Sequence, residues 1–185
     1  MSSPPSIHNL AVYCASSLGA NPAYQAAAAE LGHALATRNI GLVYGGANVG
    51  LMKIVADSTI AAGGRVTGVI PLVLVDLEVT HSGISELHVV DTMHTRKALM
   101  AEKADAFLAL PGGYGTFEEL FEVLAWQNLR LHTKPVMLFN VDGFYDGLLN
   151  FLDHAVTQGV LKSKNRAGLL VATTVEEVFT HLGVV

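Results

Sequence analysis

The residues best suited to chemistry lie in one short stretch, Pro111-Gly112-Gly113-Tyr114-Gly115-Thr116-Phe117-Glu118-Glu119. An apolar run, Ala106 to Leu110, stops abruptly at Pro-Gly-Gly, and a helical pattern begins at Thr116 with an acid in its first turn. A strand, a glycine-rich turn and a helix N-terminus in that order form an anion site, because main-chain N–H groups point outward and the helix dipole favours negative charge. Glycine also lets the main chain approach a phosphate closely. Gly112, Gly113, Tyr114, Gly115 and Thr116 are therefore the expected phosphate cradle. Glu119 beside it is odd. A carboxylate repels a phosphate, so this one points to chemistry next to the phosphate rather than to phosphate binding alone.

Glu119 also has a plainer reading. Thr116-Phe117-Glu118-Glu119 fits a capping box, in which the acid bonds back to the cap residue. The helical wheel asks for more: Phe117, Leu120, Phe121 and Leu124 make the expected core stripe, and Val123 and Trp126 a second apolar stripe with Glu119 beside it. A helix that is apolar on two sides is buried on two sides. That puts Glu119 at a partly covered surface near a subunit interface, a setting in which a carboxylate is more often functional than on an open face.

Two further constellations stand out. At about 100° per residue, Met93, Arg96, Lys97 and Met100 share one helix face. Two cations beside two methionines suit both a charge and an apolar ring, and the planar donors of Arg suit phosphate or sugar; the alternative is a solvated basic face. The turn Gly45-Gly46-Ala47-Asn48-Val49-Gly50 is either a second nucleotide cradle or a tight strand-to-helix turn. It lacks the Gly-Lys-Ser/Thr ending of a Walker loop, and Ala47 interrupts a dinucleotide fingerprint. Ser16-Ser17, Gly45-Gly46 and Gly112 all follow strands and should share one sheet edge, which makes Ser17, Gly45 and Gly46 candidate binding residues. Glu78, in the aperiodic stretch Pro71 to Ser85, is either a solvated loop acid or a binding residue.

These residues must be positioned by an alternation of strands and helices. Strands are predicted over Asn9–Ala15, Gly41–Tyr44, Arg65–Ile70, Glu86–Val90, Ala106–Leu110, Pro135–Asn140 and Leu169–Val171. Helices are predicted over Pro22–Thr37, Gly50–Ala62, Met93–Ala104, from Thr116 onward, Gly143–Gln158 and Val175–Leu182. Alternation of this kind predicts an α/β fold, a parallel sheet with helices on both faces. The strands are continuous apolar runs, as in sheets buried on both sides. The 185 residues form one expected domain, with residues 1–7 as a loose tail.

Composition excludes several classes. A formal net charge of −5 argues against polymeric nucleic acid, which needs a basic stripe. Mean hydropathy is high, +0.42, yet no window holds the roughly 18 apolar residues of a membrane span. A surplus of apolar residues without a span hints at a buried subunit interface. Met1-Ser2-Ser3-Pro4-Pro5-Ser6 lacks the basic start and apolar core of a signal peptide, and the lone Cys14 forms no internal disulfide, so a cytoplasmic protein is expected. The histidines are scattered without metal-ligand spacing, and no metal is expected.

Taken together the residues resemble the LOG ("Lonely guy") family, the cytokinin riboside 5′-monophosphate phosphoribohydrolases. The hallmark Pro-Gly-Gly-x-Gly-Thr-x-x-Glu is matched by Pro111 to Glu119, and the Arg-Lys signature by Met93-His94-Thr95-Arg96-Lys97. The similarity continues through Val12-Tyr13-Cys14, Leu42 to Gly46, Val49 to Met52, Gly68 to Pro71 and Lys134 to Val136. The resemblance implies a Rossmann-like three-layer fold, a homodimer with sites near its interface, and no cofactor. It implies hydrolysis of the bond between an N6-modified adenine and ribose 5-phosphate. By position Arg96 and Glu119 take the catalytic places, Gly112, Gly113, Gly115 and Thr116 the phosphate cradle, and Lys97 and Glu78 match substrate-contacting positions. The purine would reach toward the Met93 face.

The chain departs from the family pattern at Ala15 and Ala47, where glycine is common, and at Lys53, Ala125, Asn128 and Arg130; Arg130 replaces a helix-ending glycine. Some relatives carry a "lysine decarboxylase" label, but no Schiff-base lysine with a partner for a pyridine nitrogen can be assembled from the sequence. The rival reading is a non-catalytic nucleotide carrier on the same fold.

Overall fold

The structure is a computed structural model that describes residues 7–75 and 80–184; Glu78 and residues 1–6 lie outside the described residues. The apolar runs form strands β1 (Asn9–Tyr13), β2 (Gly41–Tyr44), β3 (Val66–Pro71), β4 (Glu86–Val90), β5 (Ala106–Ala109), β6 (Val136–Phe139) and β7 (Leu169–Ala172). The helices are α1 (Pro22–Thr37), α2 (Gly50–Ala61), α3 (Leu72–Val75), α4 (Met93–Lys103), α5 (Tyr114–Asn128), α6 (Asp146–Thr157), α7 (Ser163–Ala167) and α8 (Val175–Leu182).

All strand pairs are parallel, in the order β4-β3-β2-β1-β5-β6-β7. The chain lays β1 to β4 toward one edge, returns to the other side of β1 with β5, and continues outward. The order therefore reverses between β1 and β5, and ligands bind beyond the carboxyl ends of strands at such a switch point.

Side chains alternate across each strand. Leu10 and Val12 of β1 enter a core with α1, α2 and α8, while Ala11 and Tyr13 enter a second core with α4, α5 and α6. Two cores, one on each face, are why the strands read as continuous apolar runs. β4 is an edge strand, and there Leu87 and Val89 are exposed. α1 starts where expected: Asn21 accepts a hydrogen bond from the Ala23 N–H, and Pro22 occupies the first helical position.

Four local expectations change. Ile7, assigned to the loose tail, is buried against the first core. The aperiodic stretch after Pro71 contains α3, too short to show a helical period. α7, Ser-Lys-Asn-Arg-Ala, is polar throughout and carries no apolar stripe to read. The helix expected from Gly143 is preceded by a 3-10 turn, Val141–Gly143, with Asp142 at φ 51°.

Candidate active site

The most consequential change is where α5 begins. Its cap is Gly113 and its first residue Tyr114, with the first helical hydrogen bond from Phe117 N–H to the Gly113 carbonyl. Thr116 is thus inside the helix, and Glu119 is its sixth residue rather than the third. The capping-box reading of Glu119 is excluded, and no acid stands in the first turn. The N–H groups of Tyr114, Gly115 and Thr116 precede the first intrahelical bond.

The core stripe of α5 holds in part: Leu120 is buried as expected, and Phe117 and Leu124 pack partly buried against the second core. The inward face carries Thr116, Glu119, Leu120 and Val123, all buried, whereas Phe121, expected in the core, is 41% exposed. The helix is apolar on two sides as expected, but Glu119 belongs to the inward one.

The turn before α5 is held from below. Tyr145 Oη donates to the Leu110 carbonyl at 2.6 Å, and Ala15 N–H donates to the Pro111 carbonyl at 3.2 Å. Gly112 is obligatory for packing: a Cβ there would lie 2.0 Å from Thr116 Oγ1. Gly113 and Gly115 differ, because a Cβ on either would meet nothing within 4 Å. They leave open space in front of the helix N-terminus.

That space is a cavity of about 170 Å³ beyond β1, β2 and β5. Gly113 to Thr116 and Glu119 form one wall, Val12 to Ser16 the second, and Gly45, Met52 and Arg96 the third. Arg96 and Glu119 are the charged residues among the described lining, 6% and 7% exposed, with Nη2 3.9 Å from Oε1. Burial, with the Glu119 charge nearby, pushes the Tyr13 phenol and the Cys14 thiol well up, so both stay protonated. Cys14 is then a wall and not a nucleophile.

Arg96 is fixed by the main chain. Nε donates to the Val69 carbonyl at 3.1 Å, Nη2 to the Gly45 carbonyl at 3.3 Å, and Nη1 lies 3.8 Å from Met93 Sδ. A guanidinium has five N–H donors, so two remain for Glu119 or a ligand. The glycine turn after β2 is explained by this anchorage. A Cβ on Gly45 would sit 2.0 Å from Arg96 Nη2, and Gly46 holds φ 78°. At the start of α2 the Leu51 N–H is taken up by protein, shared between the Ala15 and Ser17 carbonyls.

Several candidate residues are not among the described residues that line this cavity. Lys97 is buried and pairs with Glu118 and, at 3.1 Å, with Glu122. Burial alone would lower its pKa, but the two carboxylates outweigh it and raise it. Met93 is 37% exposed against Arg96, while Gly46, Gly112 and Ser17 shape turns. Sequence reasoning placed Ser16 on this edge but did not name Val12, Tyr13, Cys14, Ala15 or Met52 as walls. The signal for the β1 residues was the adjacency of β1 and β5, a fact of topology.

The chain is similar to known proteins in both sequence and fold. A family model described as "Possible lysine decarboxylase" matches residues 52–182. Cytokinin riboside 5′-monophosphate phosphoribohydrolase LOG2 of Arabidopsis thaliana is 53% identical over 157 residues, 85% of this chain and 74% of that protein. The chain belongs to the LOG family. Its relative LOG of Oryza sativa subsp. japonica is 49% identical over 173 residues, 94% of this chain and 72% of that protein. The fold extends beyond the LOG family: a Moco carrier protein of Chlamydomonas reinhardtii superposes with a TM-score of 0.70 at 20% identity, covering 95% of this chain and 94% of that one.

Proposed function

We propose that the chain hydrolyses the N-glycosidic bond of N6-modified adenosine 5′-monophosphates, and AMP, releasing free base and ribose 5-phosphate. The observation that carries this reading is the placing of one buried carboxylate and one buried guanidinium, 3.9 Å apart, beside the open N-terminus of α5. The 5′-phosphate accepts hydrogen bonds from the N–H groups of Gly115 and Thr116, where the helix dipole favours it. Ribose then lies over Glu119. Breaking the bond builds positive charge on the sugar, as in glycoside hydrolysis. Glu119 stabilises that charge and orients water toward the anomeric carbon. Water oxygen bonds to that carbon, the departing nitrogen keeps the bonding electrons, and the proton that water loses is the one the base gains. Arg96 uses its two remaining donors to orient the phosphate or ribose.

A cavity of about 170 Å³ is smaller than the usual ligand pocket of roughly 300–1,000 Å³. It suits ribose phosphate and leaves the base outside, toward Met93 and the 94% exposed Tyr114. We assign the remaining cover to a second copy of the chain. The apolar outward side of α5, with Phe121 and Leu124 at a cavity of about 460 Å³ bordered by α6 and α7, favours a homodimer. The lone buried Cys14 fits a cytoplasmic setting, and Glu78 and Lys97 are assigned supporting roles around the substrate.

The test is direct. Incubation with N6-isopentenyladenosine monophosphate should yield free base and ribose 5-phosphate in equal amounts. Tight nucleotide binding with neither product would favour the carrier reading instead.

A further inference from the structure

We infer that His81 is a positioning residue for Arg96, acting through the turn that follows β2. The inference rests on the role proposed for Arg96. The His81 side chain is buried, and both of its ring nitrogens are engaged. Nδ1 accepts the Gly83 N–H at 3.1 Å, so the ring proton is on Nε2, which donates to Asp57 Oδ1 at 2.8 Å. Asp57 lies on α2 and is held by Lys53 at 2.6 Å. One ring thereby ties residues 81–83 to α2.

The main chain carries this tie to the site. His81 N–H donates to the Gly46 carbonyl at 3.1 Å, and Thr80 pairs with Ala47 in an antiparallel bridge. The preceding carbonyl, that of Gly45, anchors Arg96 Nη2. The turn has no slack. A Cβ on Gly45 would lie 2.0 Å from Nη2, and one on Gly46 would lie 3.2 Å from Ile70 on β3. A shift of the turn of even a few tenths of an ångström is a shift of the guanidinium relative to Glu119. His81 holds the turn at the Gly46 carbonyl, one residue beyond the carbonyl that anchors Arg96. Its removal frees residues 80–83, relaxes the turn and loosens the guanidinium, although His81 touches neither Arg96 nor the cavity wall.

Misplacement of a reacting group by about 1 Å costs up to ~10²-fold in rate. In steady-state assays with N6-isopentenyladenosine monophosphate, His81→Ala should lower kcat about 10–100-fold and change KM less than about three-fold. His81→Gln, whose amide still reaches Asp57, should restore most of kcat. Should His81→Ala not fold, His81→Asn, which keeps the Gly83 bond without reaching Asp57, takes its place and should show the same split.

An Arg96→Lys background separates positioning from simple packing. Lysine lacks the planar fork that reads the turn. Adding His81→Ala there should cost less than about two-fold further, because the two residues act in one chain of contacts. Wild-type kcat in His81→Ala, or an equal loss in both backgrounds, would overturn this inference and leave the Arg96 assignment standing. Full turnover in Arg96→Lys would overturn that assignment and the inference with it.

Discussion

Glu119 and Arg96 are two charges held almost out of water, and their energetics differ. Arg96 is compensated by two carbonyls and a sulfur as well as by Glu119. Deleting the guanidinium breaks a buried ion pair and strands the Val69 and Gly45 carbonyls, a loss of typically about 3–5 kcal/mol. Arg96→Ala should therefore lower the melting temperature as well as turnover, which makes Glu119→Gln the cleaner chemical probe. Gly115 offers a probe of a different kind. A methyl there meets no protein atom within 4 Å and alanine favours a helix by up to about 1 kcal/mol over glycine, so Gly115→Ala should fold as well or better. The same methyl stands where the phosphate approaches, and KM for the nucleotide should rise about ten-fold or more. Unchanged KM in a well-folded Gly115→Ala protein would place the phosphate elsewhere. The motif residues from Pro111 to Glu119 were legible as a glycine turn between a strand and a helix with an acid close by. What sequence could not tell was that Gly45 exists to admit Arg96, because that contact joins residues on separate strands and helices.

α5 shows how a boundary error changes a function. Placing the cap at Thr116, three residues late, made Glu119 a capping acid; starting the helix at Tyr114 makes it an interior residue facing the switch point. The sequence hides the true start because its cap is a glycine with no side-chain signal. The other end of α5 carries a cost. Leu131 N–H bonds to the Trp126 carbonyl and Arg130 N–H to the Gln127 carbonyl, a Schellman ending with Arg130 at φ 62°. A non-glycine residue there is disfavoured by roughly 1–2 kcal/mol. Arg130→Gly should raise the melting temperature by about 2–4 °C without altering kcat. The loop that follows adds a pH dependence. His132 accepts from Lys134 N–H and donates to the Val123 carbonyl on α5. Burial, with the Lys134 charge, holds its pKa below the usual 6.5, outweighing the Val123 bond. The folded state therefore prefers the neutral ring. Its stabilising contribution is complete above about pH 6.5 and is lost as pH falls through the lower folded value. Melting curves from about pH 7.5 to about pH 5 should show His132→Gln losing less stability on acidification than the wild type.

At the scale of the whole molecule, the alternation of strands and helices was enough to predict a parallel sheet covered on both faces. Strand order was not, since period and composition say nothing about which strands become neighbours. That order is what brings Tyr13 to Ser16 beside Gly113 to Thr116 and sets the cavity between them. The uncovered apolar side of α5 makes its own prediction: sedimentation at micromolar concentration should report a dimer, and Phe121→Asp should shift it to monomer. The reaction proposed at Glu119 joins the residue, the helix and the sheet. Glu119→Gln measured in single turnover with N6-isopentenyladenosine monophosphate tests it most directly. The nucleotide should bind within a few-fold of wild type while base release slows by ~10²–10³. Release at near wild-type rate from the bound Glu119→Gln protein would contradict the account.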